Sequence, residues 1–316
     1  MVESDQMISK KRLTDTNVVG TSLIVSVSDV VLNLLVSLIT GSTAVLAQAL
    51  QGISDLTTAG ILFAGVTRSK RLPDKAHPLG YGREIFFWVL IAGMFMFIGT
   101  GLFTLYVGLR QVLDPGIIEN VWLAFAMLSF GFLTNFYAFQ KSFRRLHHRA
   151  SSHSMWRQFR DSPMVETKAT FIVDFLGSLS AAFGLVALFT YVVTGDVRFD
   201  GLGGMFVGVS MMIAAVILVL DVRDLIVGKS APNWIVKKIS SATLSHPEVE
   251  EILDLRALYL GSSKIMVLLE IHLNENLTTN EIEKLIDKIR VDIKKKVPHA
   301  YHLQIEVETP DNELVS

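Results

Sequence analysis

Long apolar stretches, separated by short polar segments, fill the first two thirds of the chain. Six of them approach or exceed the roughly 20 residues that a helix needs to cross the hydrocarbon layer of a membrane. A backbone in lipid must satisfy its own hydrogen bonds, so each stretch is predicted to be a helix. The predicted spans are 18–40, 44–66, 85–112, 121–143, 170–193 and 201–222.

The pattern changes near residue 230. KIMVLLEIHL and HLQIEVE alternate apolar and polar residues as strands do, and NEIEKLIDKIRVDIKKKV repeats its apolar residues on one helical face. With a third strand around LRAL and a helix before it, the order is helix, strand, strand, helix, strand. This predicts an α+β domain of roughly 80 residues, small enough to favour packing against a second copy.

Composition agrees with a membrane protein. Hydrophobic residues make up 50% of the chain, charged residues 19%, and the mean hydropathy is +0.44. The formal net charge of -1 indicates no nucleic-acid partner. The absence of cysteine excludes disulfides and thiolate ligands, so any metal must be held by oxygen or nitrogen.

Loop charges predict the orientation of the spans. Basic residues cluster before the first span, between the second and third, and between the fourth and fifth. The alternate loops, 41–43, 113–120 and 194–200, contain one basic residue, Arg198. The positive-inside rule therefore places both termini in the cytoplasm. We expect no cleavable signal peptide, a location in the cell (inner) membrane, and three parts: a cytosolic tail (1–17), a transmembrane domain (18–229) and a cytosolic domain (230–316).

Polar side chains recur on one helical face inside three of the spans. An aspartate at the centre of a membrane helix costs about 2.5 to 3.5 kcal/mol on insertion scales, so these faces must turn toward each other or toward water. Helical spacing groups them as follows: Ser22, Ser26, Asp29, Asn33 and Ser37 in the first span, Gln48, Gln51, Asp55 and Thr58 in the second, and Thr167, Thr170, Asp174 and Ser178 in the fifth.

Two interpretations of these faces compete. Serine and threonine can bond across membrane helices and hold them together, which accounts for the hydroxyl residues. A carboxylate is not needed for that purpose, so Asp55 and Asp174 point to an ion site. Gln51 with Asp55, and Thr170 with Asp174, can bring four oxygens into one space. A relay and a pore lining both remain open for Asp29 and Asn33 in the first span.

Three segments together resemble the cation diffusion facilitator family. They are GSTAVLAQALQGISDLTTAG in the second span, RLPDKAHPLGYGREIFFW in the following loop, and DLRALYLGSSKIMVLLEIHL with VPHAYHLQIEVETP near the C-terminus. The resemblance runs from about residue 18 to residue 310. It implies an α-helical membrane protein with six transmembrane helices and a cytosolic α+β ferredoxin-like domain, a metal/proton antiporter that forms a homodimer through that domain.

The resemblance also implies metal ligands, with departures. The transport site is Gln51, Asp55, Thr170 and Asp174, although the family usually has His, Asp or Asn at the two neutral positions. A loop site is Asp74 and His77, with Tyr81 where some members have a third His. In the cytosolic domain His272 matches a family ligand. Three residues there replace the usual His or Asp, so that site should be absent or altered: Leu253, Glu306 and Glu308.

The ligand set leaves the metal open. Gln51, Asp55, Thr170 and Asp174 offer oxygen only, which suits Mn²⁺, Mg²⁺ or Fe²⁺. Zinc is nevertheless the commonest cargo in the family, and water or another helix can complete a zinc site. No nucleophile and base pair stands in the spans, so we expect no enzyme and no cofactor besides the transported ion. The expected function is proton-coupled divalent-cation efflux by alternating access, in contact with membrane lipid. The alternative is a non-transporting partner subunit.

Overall fold

The computed structural model describes residues 26–149, 165–262 and 264–310. Five helices in this part are long and apolar enough to cross a membrane, and a shorter apolar helix precedes them. Residues 18–25 of the first predicted span lie outside the described residues. The helices are α1 (Ser26–Thr40), α2 (Thr43–Ser69), α3 (Glu84–Leu113), α4 (Val121–Arg149), α5 (Val165–Thr194) and α6 (Arg198–Val227).

The predicted class of fold is confirmed, with one local difference in α3. Residues Phe95–Leu102 form a π-helical stretch in the middle of that helix. Contacts group the described residues into two compact units. The first holds 26–63, 90–149 and 167–219; the second holds 64–89, 165–166, 220–262 and 264–310. The predicted domain boundary at 229/230 stays a prediction.

Helix α1 shows how lipid reverses the usual arrangement of polar and apolar faces. Asn33 and Thr40 are fully buried, whereas the apolar Leu35 and Leu38 on other sides of the helix are 51% and 80% exposed. Hydrocarbon offers no hydrogen-bond partners, so polar side chains turn into the protein and apolar ones face outward. Within the predicted polar stripe Asn33 and Ser37 are thus buried and Asp29 is half-buried, whereas Ser26 is exposed and Ser22 lies outside the described residues.

Helices α3 and α6 pack backbone to backbone. A Cβ added at Gly108 would lie 2.6 Å from the backbone nitrogen of Met205, and one at Gly208 would lie 2.6 Å from that of Leu105. Any side chain at either position would force the helices apart. Small residues that allow such close approach are the usual basis of helix association in membranes.

A buried carboxylate joins α6 to the start of α2. Asp200, in the first turn of α6, is fully buried. Its Oδ1 accepts hydrogen bonds from the Ser42 hydroxyl at 2.7 Å and from the Ala44 N–H at 3.3 Å, and its Oδ2 accepts one from the Thr43 N–H at 2.5 Å. The first N–H groups of a helix have no partner inside it and carry partial positive charge. Asp200 therefore caps α2 from a neighbouring helix.

The C-terminal residues form the predicted order of helix, strand, strand, helix, strand. The elements are α7 (Asn233–Thr243), β1 (Val249–Gly261), β2 (Lys264–Leu273), α8 (Thr279–Lys296) and β3 (Ala300–Val307). The sheet order is β1-β2-β3, with β1 antiparallel and β3 parallel to β2. Leu285, Ile289 and Ile293 of α8 are buried, and Thr278 begins that helix with a capping box to Glu281.

We predict that Asp200→Ala destabilises the protein by about 3 kcal/mol, because it leaves two N–H groups and a hydroxyl buried without an acceptor. Thermal unfolding of purified protein in detergent measures the effect. Asp196→Ala is the matched control, since Asp196 is an exposed carboxylate that receives only the Arg198 N–H. Equal unfolding temperatures for the two variants would refute the capping role.

Candidate metal transport site

Helices α1 and α2 approach closely where the predicted acidic residues lie. A Cβ added at Gly52 would lie 2.7 Å from Cγ2 of Val30, so glycine permits the contact. Asp29 directly precedes Val30, and Asp55 lies one turn beyond Gly52, and the charges of the two side chains interact. Both carboxylates are half-buried. The first span therefore places a carboxylate near Asp55, where the sequence had left the role of Asp29 open.

Helix α5 supplies the second predicted carboxylate. Asp174 is half-buried, and its charge also acts on Asp55, more strongly than that of Asp29. Thr170 belongs to α5, but its side chain lies outside what the structure describes. Asp55 and Asp174, two of the four predicted ligands, thus lie on separate helices and interact through their charges, and an ion shared between them stays a prediction.

Neutral oxygens accompany the carboxylates on α2. Gln51 is 4% exposed, and its Oε1 has no hydrogen-bond partner among the described residues. The hydroxyls of Ser54 and Thr58 are also buried and also have no hydrogen-bond partner among the described residues. An unpaired buried oxygen costs about 1 to 3 kcal/mol, so a ligand that these oxygens can coordinate would recover that energy.

The composition of the site limits what kind of metal centre it can be. Within residues 26–149, 165–262 and 264–310, no three His, Asp or Glu side chains are grouped to hold a metal ion. Asp29, Asp55 and Asp174 are therefore not grouped as three ligands of one ion in this part of the chain. The ligand set of Gln51, Asp55, Thr170 and Asp174 stays a prediction.

Helix α4 contributes contacts that sequence reasoning missed. A Cβ added at Gly131 would lie 2.6 Å from Nε2 of Gln48 on α2, and one at Gly177 on α5 would lie 2.8 Å from Oδ1 of Asn135. Asn135 also donates its Nδ2–H to the Gly131 carbonyl at 2.9 Å. Helix α4 thus touches both helices that carry the carboxylates. The polar Asn135 within an apolar span was the available signal.

The loop residues Asp74 and His77 lie together, as the resemblance implies. Asp74 Oδ1 accepts the N–H groups of Ala76 at 2.9 Å and His77 at 2.7 Å, and Oδ2 accepts the Tyr81 hydroxyl at 2.7 Å. These bonds, that from Tyr81 foremost, lower the pKa of Asp74, so its carboxylate is ionised at neutral pH. The imidazole of His77 lies 3.5 Å from the same carboxylate. A metal ion bound at this loop would have to compete with the Tyr81 hydroxyl for Oδ2 of Asp74.

His272 in β2 contacts oxygen through both ring nitrogens. Its Nε2 lies 3.3 Å from Oε2 of Glu250, and its Nδ1 lies 3.1 Å from the Glu308 carbonyl oxygen. Glu250 was not among the predicted residues. Glu308, which was named as a departure, meets His272 through its backbone, whereas the side chain of Glu306 accepts from Gln304. A metal role for His272 remains a prediction.

Comparisons with known proteins agree on one family. The model of the cation efflux transmembrane domain matches residues 20–227, and that of the cation efflux protein cytoplasmic domain, named ZT_dimer, matches residues 231–310. The proton-coupled zinc antiporter SLC30A9, mitochondrial, of Homo sapiens is 22% identical over 85% of this chain and 54% of its own. Metal tolerance protein C4 of Arabidopsis thaliana is 24% identical over 74% of this chain and 51% of its own.

The chain spans about half the length of these curated relatives. Among solved structures, a nickel form of the MamM CTD covers 25% of this chain and 100% of its own chain, at 19% identity and a TM-score of 0.24.

We predict that Tyr81→Phe strengthens zinc binding at the loop severalfold, because it removes a charge-assisted hydrogen bond that competes with a metal ion for Asp74 Oδ2. Equilibrium dialysis with Zn²⁺ measures this on a background of Asp55→Asn with Asp174→Asn. Tyr106→Phe, which removes an exposed hydroxyl from α3, is the control. Unchanged or weaker binding by Tyr81→Phe would count against a metal at this loop.

Proposed function

The chain belongs to the cation efflux family and is an integral membrane protein, and on that premise we propose that it exports a divalent metal cation in exchange for protons. The observation that carries the proposal is the pairing of Asp55 on α2 with Asp174 on α5 inside the apolar helical unit. Acidic residues within membrane helices mark ion pathways far more often than they mark packing contacts.

The charges of the pair suit a divalent ion. Two ionised carboxylates repel each other in surroundings of low polarity, and an ion of charge 2+ placed between them offsets both. The ligand set is proposed to be Gln51, Asp55, Thr170 and Asp174. Asp29, whose charge also reaches Asp55, adds to the attraction of the site for cations.

Zinc and manganese are the two proposed cargoes. Oxygen ligands suit manganese, and iron or magnesium fit the same reasoning. A relative is named a zinc antiporter, which supports zinc. A zinc ion would need water or another helix to complete a tetrahedral set around the two carboxylates.

Proton exchange is proposed to use the same carboxylates. Ligands bind a metal in their deprotonated form, so an arriving ion displaces protons and a departing ion allows them to return. Because Gln51 and Thr170 replace histidine, no imidazole at these positions can carry the protons. Asp55 and Asp174 therefore take both roles as the site opens to each side of the membrane in turn.

Orientation and assembly follow from the loops and the C-terminal domain. The positive loops support cytoplasmic termini. The cytoplasmic domain matches a model named ZT_dimer, which supports a homodimer through that domain. The alternative of a non-transporting partner subunit is disfavoured, because a subunit that carries no ion has no use for two costly carboxylates on facing helices.

We expect Asp55→Asn and Asp174→Asn each to abolish metal transport while the protein stays folded. A carboxamide keeps the shape of the side chain but removes the charge that holds the ion. Metal-stimulated flux into liposomes containing purified protein is the measurement. Asp114→Asn, an exposed carboxylate at the end of α3, should transport normally. Normal transport by either site variant would place the ion elsewhere.

Replacing both Gln51 and Thr170 by histidine should convert the site toward zinc. Each residue stands four positions before its aspartate, so both imidazoles would join the carboxylates on the same helical faces. The double variant should gain zinc flux and lose manganese flux, and its rate should fall below about pH 6.5 as the imidazoles protonate. The oxygen-ligand argument would be contradicted if the wild-type protein already preferred zinc over manganese by about tenfold or more in the same flux assay.

A further inference from the structure

Three amide side chains place buried oxygens beyond the two carboxylates. Asn33, Gln48 and Gln51 are 0%, 6% and 4% exposed. Oδ1 of Asn33 and Oε1 of each glutamine have no hydrogen-bond partner in the part of the chain that the structure describes. Each such oxygen has lost its hydration without a compensating hydrogen bond, which is unfavourable. Three together call for a common explanation.

The packing of α1 on α2 puts Asn33 and Gln48 at about one level, with Gln51 one turn from Gln48 along α2. The helices run antiparallel, since only Gly41 and Ser42 separate them, and Val30 contacts Gly52. Asn33 lies three residues from Val30 toward that turn, about 4.5 Å along α1, and Gln48 lies four residues from Gly52 in the same direction, about 6 Å along α2. Both steps return to the helix face that makes the contact.

The protein positions two of these amide groups. Nδ2 of Asn33 donates to the carbonyl oxygen of Asp29 at 2.9 Å. The amide of Gln48 packs against Gly131 of α4, with Nε2 2.6 Å from where a Cβ would stand. The oxygens of both residues nevertheless have no hydrogen-bond partner among the described residues, so both are available as acceptors.

Amide oxygens carry no net charge, and this determines which cations they bind and how tightly. They suit hard, oxygen-seeking divalent cations such as Mn²⁺, and they hold them more weakly than carboxylates do because they contribute no negative charge. Transport through a membrane protein needs sites that an ion can enter and then leave. A weak site next to a strong one meets that need.

We propose that Asn33, Gln48 and Gln51 form a second cation site, the amide site, on the side of Asp55 and Asp174 that faces the Gly41 turn. It holds a partly hydrated divalent cation during its passage, and Gln51 belongs to both sites. The inference rests on the proposed function, because it assigns the amide site to the same ion.

Equilibrium dialysis with radioactive Mn²⁺ on the purified full-length protein tests binding without requiring transport. On a background of Asp55→Asn, Asp174→Asn and Asp74→Ala, the last of which removes the loop carboxylate, weak Mn²⁺ binding should remain. Adding Gln48→Met, which keeps the length of the side chain and removes its oxygen, should weaken that binding about tenfold or more. Adding Asn33→Asp, which brings a negative charge, should strengthen it by a similar factor.

Thr104→Val is the matched control. It also removes a buried oxygen with no partner within the described residues, but from α3. It should leave the residual Mn²⁺ binding unchanged. In liposomes, Gln48→Met alone should lower the maximal flux and leave the half-saturating Mn²⁺ concentration unchanged, because Asp55 and Asp174 are intact.

Other outcomes overturn the amide site. Residual Mn²⁺ binding that is absent, or that neither Gln48→Met nor Asn33→Asp alters, would show that the amides hold buried water only. Suppose that wild-type protein transports Mn²⁺ and that Asp55→Asn does not. A Gln48→Met variant with the same maximal flux as wild type would then reject the amide site but leave the proposed function standing. If wild-type protein transports no metal, the proposed function fails, and the dialysis result still decides whether the cation binds the amides.

Discussion

The carboxylate of Asp200 and the start of α2 form the contact on which the arrangement of the helices depends. The first N–H groups of a helix have no partner inside it, and those of Thr43 and Ala44 are buried away from water, so a partner must come from another part of the protein. Asp200 supplies it from α6, and the glycine contacts between α6 and α3 fix α6 in turn. The helix positioned in this way carries Gln48, Gln51 and Asp55.

The same constraint explains why polar residues lie where they do in the helical unit. An amide or carboxylate in contact with lipid is costly, so Asn33 of α1 and both Gln48 and Gln51 of α2 are buried inside the protein. In the proposed transport site, Asp55 and Asp174 would offset the charge of an ion, whereas the uncharged Gln51 would supply oxygen without binding the ion strongly. Such a combination would let the ion both bind and leave.

Local pattern was enough to predict the helices, the C-terminal order of elements and the two acidic faces, since 20-residue apolar runs and steps of three and four need only neighbouring residues. Local pattern could not predict contacts between residues that lie far apart in the sequence. Asp200 looked like an ordinary loop residue because its partner Ser42 lies 158 positions away. The fit of Gln48 against Gly131 depends on helix packing, and the hydrogen bond from Tyr81 to Asp74 depends on how the loop folds. The π-helical stretch Phe95–Leu102 has no signal in its sequence that we identify.

Electron cryo-microscopy of the purified protein in Mn²⁺ and, separately, in chelator would locate the ion directly. The account predicts density between Asp55 and Asp174, within reach of Gln51, that appears with Mn²⁺ and is lost in chelator and in Asp174→Asn. Metal-dependent density confined to other residues, or none between these carboxylates at a Mn²⁺ concentration that supports flux, would contradict it.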